Sequence, residues 1–339
     1  MKQIVFTGVN KAELLEVERK APAENEVLVK TAFSTISSGT EKANITGNLN
    51  VSISDIPQGS EPVFPRMSGY SSSGVVLETG KNVKSVKPGD RVAVSWGHHK
   101  QFNTVHEKNV VRITYDNISF QEAAMFHICT FPLAGVRKTR LEIGESMLVM
   151  GLGLLGQLSV LFAVKAGAVP VIAVDPVAER RALALKNGAD YALDPFEAGF
   201  VDKVKEITGG GANTAVEVTG IGAGFDEALD CMARFGRISL LGCTRSSDFT
   251  IDYYHKIHGP GITIVGAHTQ ARPEYESYPG FFTQRDDIKT VMKLCGQERL
   301  DLEKLICETH SPAECGKVYD RLINDAAFPT VVQFDWSLI

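Results

Sequence analysis

The run Met147-Leu148-Val149-Met150-Gly151-Leu152-Gly153-Leu154-Leu155-Gly156 constrains this chain more than any other. An apolar stretch breaks on three glycines spaced G-x-G-x-x-G and resumes with apolar residues, which reads as strand, tight turn and helix. Glycine triplets arise by chance in a chain with 31 glycines, so the context decides. The next apolar run, 169–174, ends on Asp175, about 20 residues past the triplet, where an acid meets the ribose of a bound dinucleotide. Gly151 allows the turn, Gly153 lets backbone approach a pyrophosphate, and Gly156 lets helix and strand pack closely. The amides of Leu154 and Leu155 open the helix, whose N-terminus attracts the phosphate charge. Asp175 accepts from the ribose hydroxyls and repels a 2′-phosphate, which favours NAD over NADP. Arg180 and Arg181, next along, read as a solvated helical face.

Strand and helix signals alternate for more than a hundred residues around this motif. Expected strands are 147–150, 169–174, 190–193, 214–218, 237–241 and 262–266, enough for a doubly wound Rossmann sheet of two mononucleotide-binding halves. The first ~115 residues carry short alternating runs and turns such as Pro88-Gly89-Asp90, the signal of a compact β-barrel. Helices are expected at 286–295 and 312–324, and a last strand at 330–336 must pair elsewhere. The division is 1–125 with 285–339 as a substrate domain and 126–284 as the dinucleotide domain, an α/β chain overall.

A net charge of -5 and dispersed Lys and Arg give no reason to approach nucleic acid. Glycines, Gln157 and Lys165 interrupt the longest apolar stretch, 147–168, so a membrane span is not expected. The N-terminus reads as a first strand, not a signal peptide. Six cysteines without C-x-x-C spacing suit free thiols, and the expected setting is cytoplasmic.

Pro88-Gly89-Asp90-Arg91-Val92, Gln121-Glu122-Ala123-Ala124, Ile143-Gly144-Glu145, the glycine triplet, Lys186-Asn187-Gly188-Ala189-Asp190, Ala215-Val216-Glu217-Val218-Thr219-Gly220 and Phe235-Gly236-Arg237-Ile238-Ser239-Leu240-Leu241-Gly242 follow one another in a specific order. In these the chain resembles the medium-chain dehydrogenase/reductase family, which includes alcohol, sorbitol and threonine dehydrogenases and quinone reductases. The resemblance implies a GroES-like barrel completed by the C-terminal segment, a cleft between domains as active site, and cofactor contact at Thr219 and Gly220. It also implies a homodimer or homotetramer paired through the edge strand near 262–268.

Many members hold a catalytic zinc through a Cys-Gly-x-Asp turn, a Gly-His-Glu turn and a later ligand. Here Ser38-Gly39-Thr40-Glu41 and Gly69-Tyr70-Ser71 stand at the first two, and His127 stands near the third. Serine and tyrosine are poor zinc ligands, so no metal is expected in the usual mode. Trp96-Gly97-His98-His99 runs straight to Lys100 and Gln101, without the cysteine-rich lobe that binds a structural zinc. His98, His99, His127 and Glu41 hold enough metal-competent groups for a different site if the fold gathers them.

Without zinc, a protein donor must hydrogen-bond the developing alkoxide while hydride moves. Thr40, at the family's hydroxyl relay position, is the first candidate; Tyr70 and His99 are the next. Ser37 and Ser38 read as turn residues or as members of that relay. The expected activity is NAD-dependent interconversion of a secondary alcohol, a polyol or sugar derivative, and its ketone. Two competing classes remain. One is zinc-free reduction of a conjugated double bond, as in quinone or enoyl reductases; the other is nucleotide binding without catalysis.

Overall fold

The structure, a computed structural model, describes residues 1–51 and 60–339. The chain forms two compact units, Met1–Ile128 with Ile288–Ile339, and Cys129–Asp287. Their bounds fall a few residues beyond the expected 125 and 284.

The first unit opens with the antiparallel pair β1 (Lys2–Gly8) and β2 (Lys11–Glu16). There follow β3 (Glu26–Thr35), α1 (Ser38–Ile45), β4 (Ser71–Thr79), β5 (Arg91–Ser95), β6 (Phe102–His106), β7 (Val110–Arg112) and α2 (Phe120–Ala123). Alternating valines build this sheet: Val27, Val29, Val76, Val92, Val94, Val105 and Val110 meet in one buried cluster. β-Branched side chains fit a pleated, half-buried surface, which is why these short runs become strands. Residues 38–41, expected as a turn, instead begin α1.

The second unit begins inside α3 (Phe126–Lys138), at Cys129. It alternates β8 (Met147–Met150), α4 (Leu154–Ala166), β9 (Val171–Val174), α5 (Ala178–Lys186), β10 (Tyr191–Leu193), α6 (Phe200–Thr208), β11 (Ala212–Glu217), α7 (Gly222–Asp230), β12 (Met232–Leu240) and β13 (Thr263–Gly266). All pairs are parallel, in the order β10-β9-β8-β11-β12-β13. The chain runs outward from β8, then returns beside it at β11, so the order reverses between these two strands. In such sheets a ligand sits outside the strands' carboxyl ends at that reversal. The strands are nearly continuous apolar runs because helices cover the sheet: Leu148, Ile172, Ala215 and Ile238 are fully buried.

The chain returns to the first unit through α8 (Gln284–Gly296), β14 (Glu308–His310), α9 (Cys315–Asn324) and β15 (Val332–Asp335). β15 pairs antiparallel with β3 and parallel with β14, giving a seven-stranded sheet in the order β14-β15-β3-β4-β5-β7 with β6 also on β3. The unpartnered final strand of the sequence thus closes the first unit's sheet. Tyr319 and Val318 of α9 pack with Phe6, Ile36, Ile45, Phe334 and Trp336 in a second buried cluster. The expected helix 312–324 begins as a 3-10 turn, held by a capping box between Ser311 and Glu314.

Candidate functional site

In the second unit the glycine triplet and Asp175 meet. The Leu152 amide donates to Asp175 Oδ2 at 2.8 Å, and the Val177 amide donates to Oδ1 at 2.9 Å. Gly151 holds φ at 97°, in the left-handed region. A Cβ at Gly156 would overlap the Gly151 carbonyl oxygen, whereas one at Gly153 would meet nothing within 4 Å. The turn is therefore closed where helix must meet strand and open where a ligand would approach. α4 begins at Leu154 with Gly153 as its N-cap and no capping side chain, which leaves its first amides to a ligand or to water.

Two polar residues absent from the expected set shape this turn. Gln157, fully buried, donates from Nε2 to the Leu152 and Arg180 carbonyls and accepts from Asn187 Nδ2. Glu217, at the end of β11, accepts from the Thr219 and Gly220 amides at 2.7 and 3.1 Å and from the Thr219 hydroxyl. Burial pushes the Glu217 carboxyl above its ordinary range despite these bonds. Both were visible as lone polar residues in apolar runs. Side chains at Gly151, Gly224 or Gly242 would crowd Thr219 or Gly220, so the expected contact pair is wedged between strand ends. Arg181 departs from the solvated face assigned to it: Nη1 donates to the Asp175 and Pro176 carbonyls and to Asp194 Oδ2. Its place beside Asp175 makes it a brace, while Arg180 Nη1 lies 3.7 Å from Asp175 Oδ2.

In the first unit, the residues standing at the family's metal-ligand positions gather in part. The Tyr70 hydroxyl donates to Ser37 Oγ. The Tyr70 ring lies 5.5 Å from that of His127 and 5.8 Å from that of Trp96, and Trp96 lies 4.7 Å from His127. Trp96 is 42% exposed and holds φ at 57°, a strained value for a bulky residue; its amide donates to the Tyr70 carbonyl at 2.8 Å. Ser37 is the N-cap of α1, yet its hydroxyl does not cap the helix. An N-cap hydroxyl contributes about 1 kcal/mol to its helix, and here that bond is forgone while the oxygen serves Tyr70. Thr40, half-buried in the first turn of α1, and Ser38 at the helix start lie on the same segment.

His99 is elsewhere. It is 0% exposed, with Nδ1 2.7 Å from Ser34 Oγ and Nε2 3.1 Å from Glu41 Oε2. With both ring nitrogens engaged in the core, it has none left for a substrate, and the donor role expected of it does not fit this placement. The neighbouring His98 is half-buried, and burial, with help from Lys100 and His99, pushes its imidazole down to about 4. The four groups considered for an unusual metal site therefore divide between places: Glu41 bonds His99, and His127 faces Tyr70 and Trp96. Among the described residues no cluster of three or more His, Cys, Asp or Glu side chains could hold a metal ion. Hydroxyls at two of the three ligand positions do not suit zinc.

Comparison with known proteins agrees with this layout. Residues 23–127 match the alcohol dehydrogenase GroES-like domain, and residues 155–296 match the zinc-binding dehydrogenase domain. D-guloside 3-dehydrogenase of Escherichia coli is 27% identical over 324 residues, covering 90% of this chain and 91% of the relative. L-threonine 3-dehydrogenase of Pyrococcus horikoshii is 29% identical over 283 residues, covering 75% and 79%. In fold, the crystal structure of benzyl alcohol dehydrogenase from Acinetobacter calcoaceticus superposes with a TM-score of 0.84 at 20% identity, over 98% of each chain. No helix among the described residues is long and apolar enough to cross a membrane. With both domains matched in order and the first four strands of the doubly wound sheet running as the glycine motif requires, the chain belongs to the zinc-type medium-chain dehydrogenase/reductase family of alcohol dehydrogenase-like oxidoreductases.

Proposed function

We propose that this protein is an NAD-dependent oxidoreductase that interconverts a secondary alcohol, a polyol or sugar derivative, and its ketone, with side chains doing the work of a catalytic zinc. The observation that carries the reading is the Tyr70–Ser37 hydroxyl pair beside His127 and Trp96, with Tyr70 and His127 at two of the positions where many relatives place metal ligands and Ser37 next to the third, Ser38. A tyrosine hydroxyl can donate to a carbonyl oxygen and stabilise the alkoxide that forms there, the task a Lewis acid would otherwise perform. In ketone reduction the Tyr70 hydroxyl turns from Ser37 to that oxygen and gives up its proton, and the bond with Ser37 reverses so that the serine hydroxyl donates to the phenolate and replaces the proton; in alcohol oxidation the proton moves the other way. Thr40, in the family's relay position on the same segment, is the second hydroxyl of this path.

Gly151, Gly153, Leu154, Leu155, Gly156, Asp175, Thr219 and Gly220 would hold the dinucleotide, which when bound accepts or supplies the hydride. Asp175 supports NAD, since a buried carboxylate already bonded to the turn disfavours a 2′-phosphate beside it. Arg181 is committed to Asp194 and two carbonyls, which removes one cation from any role in binding that phosphate. The likeness to a D-guloside 3-dehydrogenase supports a sugar derivative as substrate. β13 is the outer strand of its sheet with Thr263, Ile264 and Gly266 exposed, which supports pairing with a second copy in a cytoplasmic homo-oligomer.

Elemental analysis of the purified protein, with NADH and NADPH titration and a panel of glycosides, polyols and conjugated enones, tests the reading. Expected are no stoichiometric zinc, tighter NADH binding, and oxidation of glycosides or polyols. Zinc whose chelation abolishes activity would overturn the side-chain mechanism, and NADPH-dependent reduction of enones alone would overturn the alcohol assignment.

A further inference from the structure

Behind the Tyr70–Ser37 pair lies a hydrogen-bonded network in which every side chain is buried. Glu41, 0% exposed, accepts from the Ser37 amide at 2.9 Å, from the Tyr319 hydroxyl at 2.6 Å and from His99 Nε2 at 3.1 Å. Ser34 Oγ, 2.7 Å from His99 Nδ1, accepts from the Trp336 indole at 2.8 Å. Since a carboxylate only accepts, His99 Nε2 donates to Glu41. Burial and the charge of Glu41 hold the Tyr319 hydroxyl well above its ordinary range, so it remains a donor. The network joins β3, α1, the loop at His99, α9 and the residue after β15, segments far apart along the chain.

Glu41 secures the start of α1 at a different amide from the one an N-cap hydroxyl would take: its carboxylate reaches back from the helix to the N–H of Ser37 itself, as the acid of a capping box does. That bond holds the Ser37 backbone in place while its hydroxyl accepts from Tyr70. We propose that Glu41 is a positioning residue, braced by Tyr319 and His99, that fixes Ser37 so that Tyr70 is held as the proton donor of the reaction. The proposal rests on the reading of Tyr70 given above. It assigns the C-terminal helix α9 a part in catalysis through Tyr319, with no contact to the substrate. A carboxylate held by three donors from separate segments has few alternative placements, and a misplaced donor group can cost up to a hundredfold in rate.

The test is a double-mutant cycle on the full chain with Tyr70→Phe and Tyr319→Phe, reading kcat and KM for the alcohol and the dinucleotide. Tyr319→Phe is expected to lower kcat about tenfold with KM for the dinucleotide unchanged. The same change in the Tyr70→Phe background is expected to have no further effect, because the brace then has nothing to position. An equal loss in both backgrounds, or no loss in either, would overturn the proposal. If Tyr70→Phe alone leaves kcat intact, the assignment of Tyr70 fails and the positioning role with it, a result distinct from an additive cycle. Should Tyr319→Phe not fold, Glu41→Gln serves in the same cycle with the same two criteria, since the amide keeps the shape but presents a donor where Glu41 accepts.

Discussion

The two units build the surfaces proposed to do the work from different materials. In the second unit, backbone does it: a turn, the amides that open α4, and one carboxylate at the end of the next strand, β9. In the first unit, side chains do it: Ser37, Tyr70, Trp96 and His127 meet from separate segments, with Glu41, His99 and Tyr319 behind them. A backbone surface tolerates most side-chain changes and fails only where a glycine is needed. A side-chain surface fails by single atoms, with the fold left standing.

That contrast predicts the largest effect for the smallest chemical change. Tyr70→Phe removes one oxygen at a half-buried site and is expected to lower kcat by about 10²–10⁴, with dinucleotide affinity unchanged in a fluorescence titration. A comparable loss of affinity would break the division of labour. At the backbone surface the corresponding break is Gly156→Val, whose side chain would overlap the Gly151 carbonyl. It is expected to cost about 3 kcal/mol in denaturant unfolding and to abolish NADH binding. Gly153→Ala, with nothing within 4 Å, should keep full stability and lose only affinity, which sharpens the comparison within one turn.

Acid should strike the first unit. His98 is held down to about 4, against 6.5 when exposed. Its folded value lies below its unfolded one, so the unfolded chain binds the extra proton. The stability it contributes is whole above about pH 6.5 and is lost as pH falls through about 4, on the order of 2 kcal/mol. Urea midpoints measured across that range should fall with pH, and His98→Gln should flatten the slope. The smallest effect is expected of Asp175→Ser. It should weaken NADH binding about tenfold while narrowing the gap to NADPH, because the repelling charge is gone and Arg180 is released. An unchanged preference would remove Asp175 as the selecting group.

Legibility in the sequence follows the same contrast. β8, the turn and α4 could be read because periodicity and glycine spacing are local, and a doubly wound parallel sheet followed from alternation. β15 was readable as a strand while its partner β3 was not, since pairing across the whole chain leaves no local mark. His99 looked like a donor in a polar turn because sequence shows that a histidine is polar and not that Ser34 and Glu41 will enclose it. Residues 38–41 looked like a turn because serine, glycine and threonine favour turns. The Glu41 carboxylate that secures them as a helix works through a bond to the Ser37 amide, which shows only in the folded backbone. Tyr319 passed unnoticed for a simpler reason: it sits at an apolar position of an amphipathic helix, where a tyrosine reads as core.

The placement of the two tryptophans gives the first unit its own optics. Trp96, partly in solvent against His127, should emit to the red and be quenched by acrylamide; Trp336, 2% exposed and bonded to Ser34, should emit to the blue and resist it. The second unit holds no indole and is dark in that window, which leaves it to the bound nicotinamide to report. A substrate that dims the red component alone would be seen arriving at Tyr70, and a blue component that shifts with it would mean that the buried brace had moved as well.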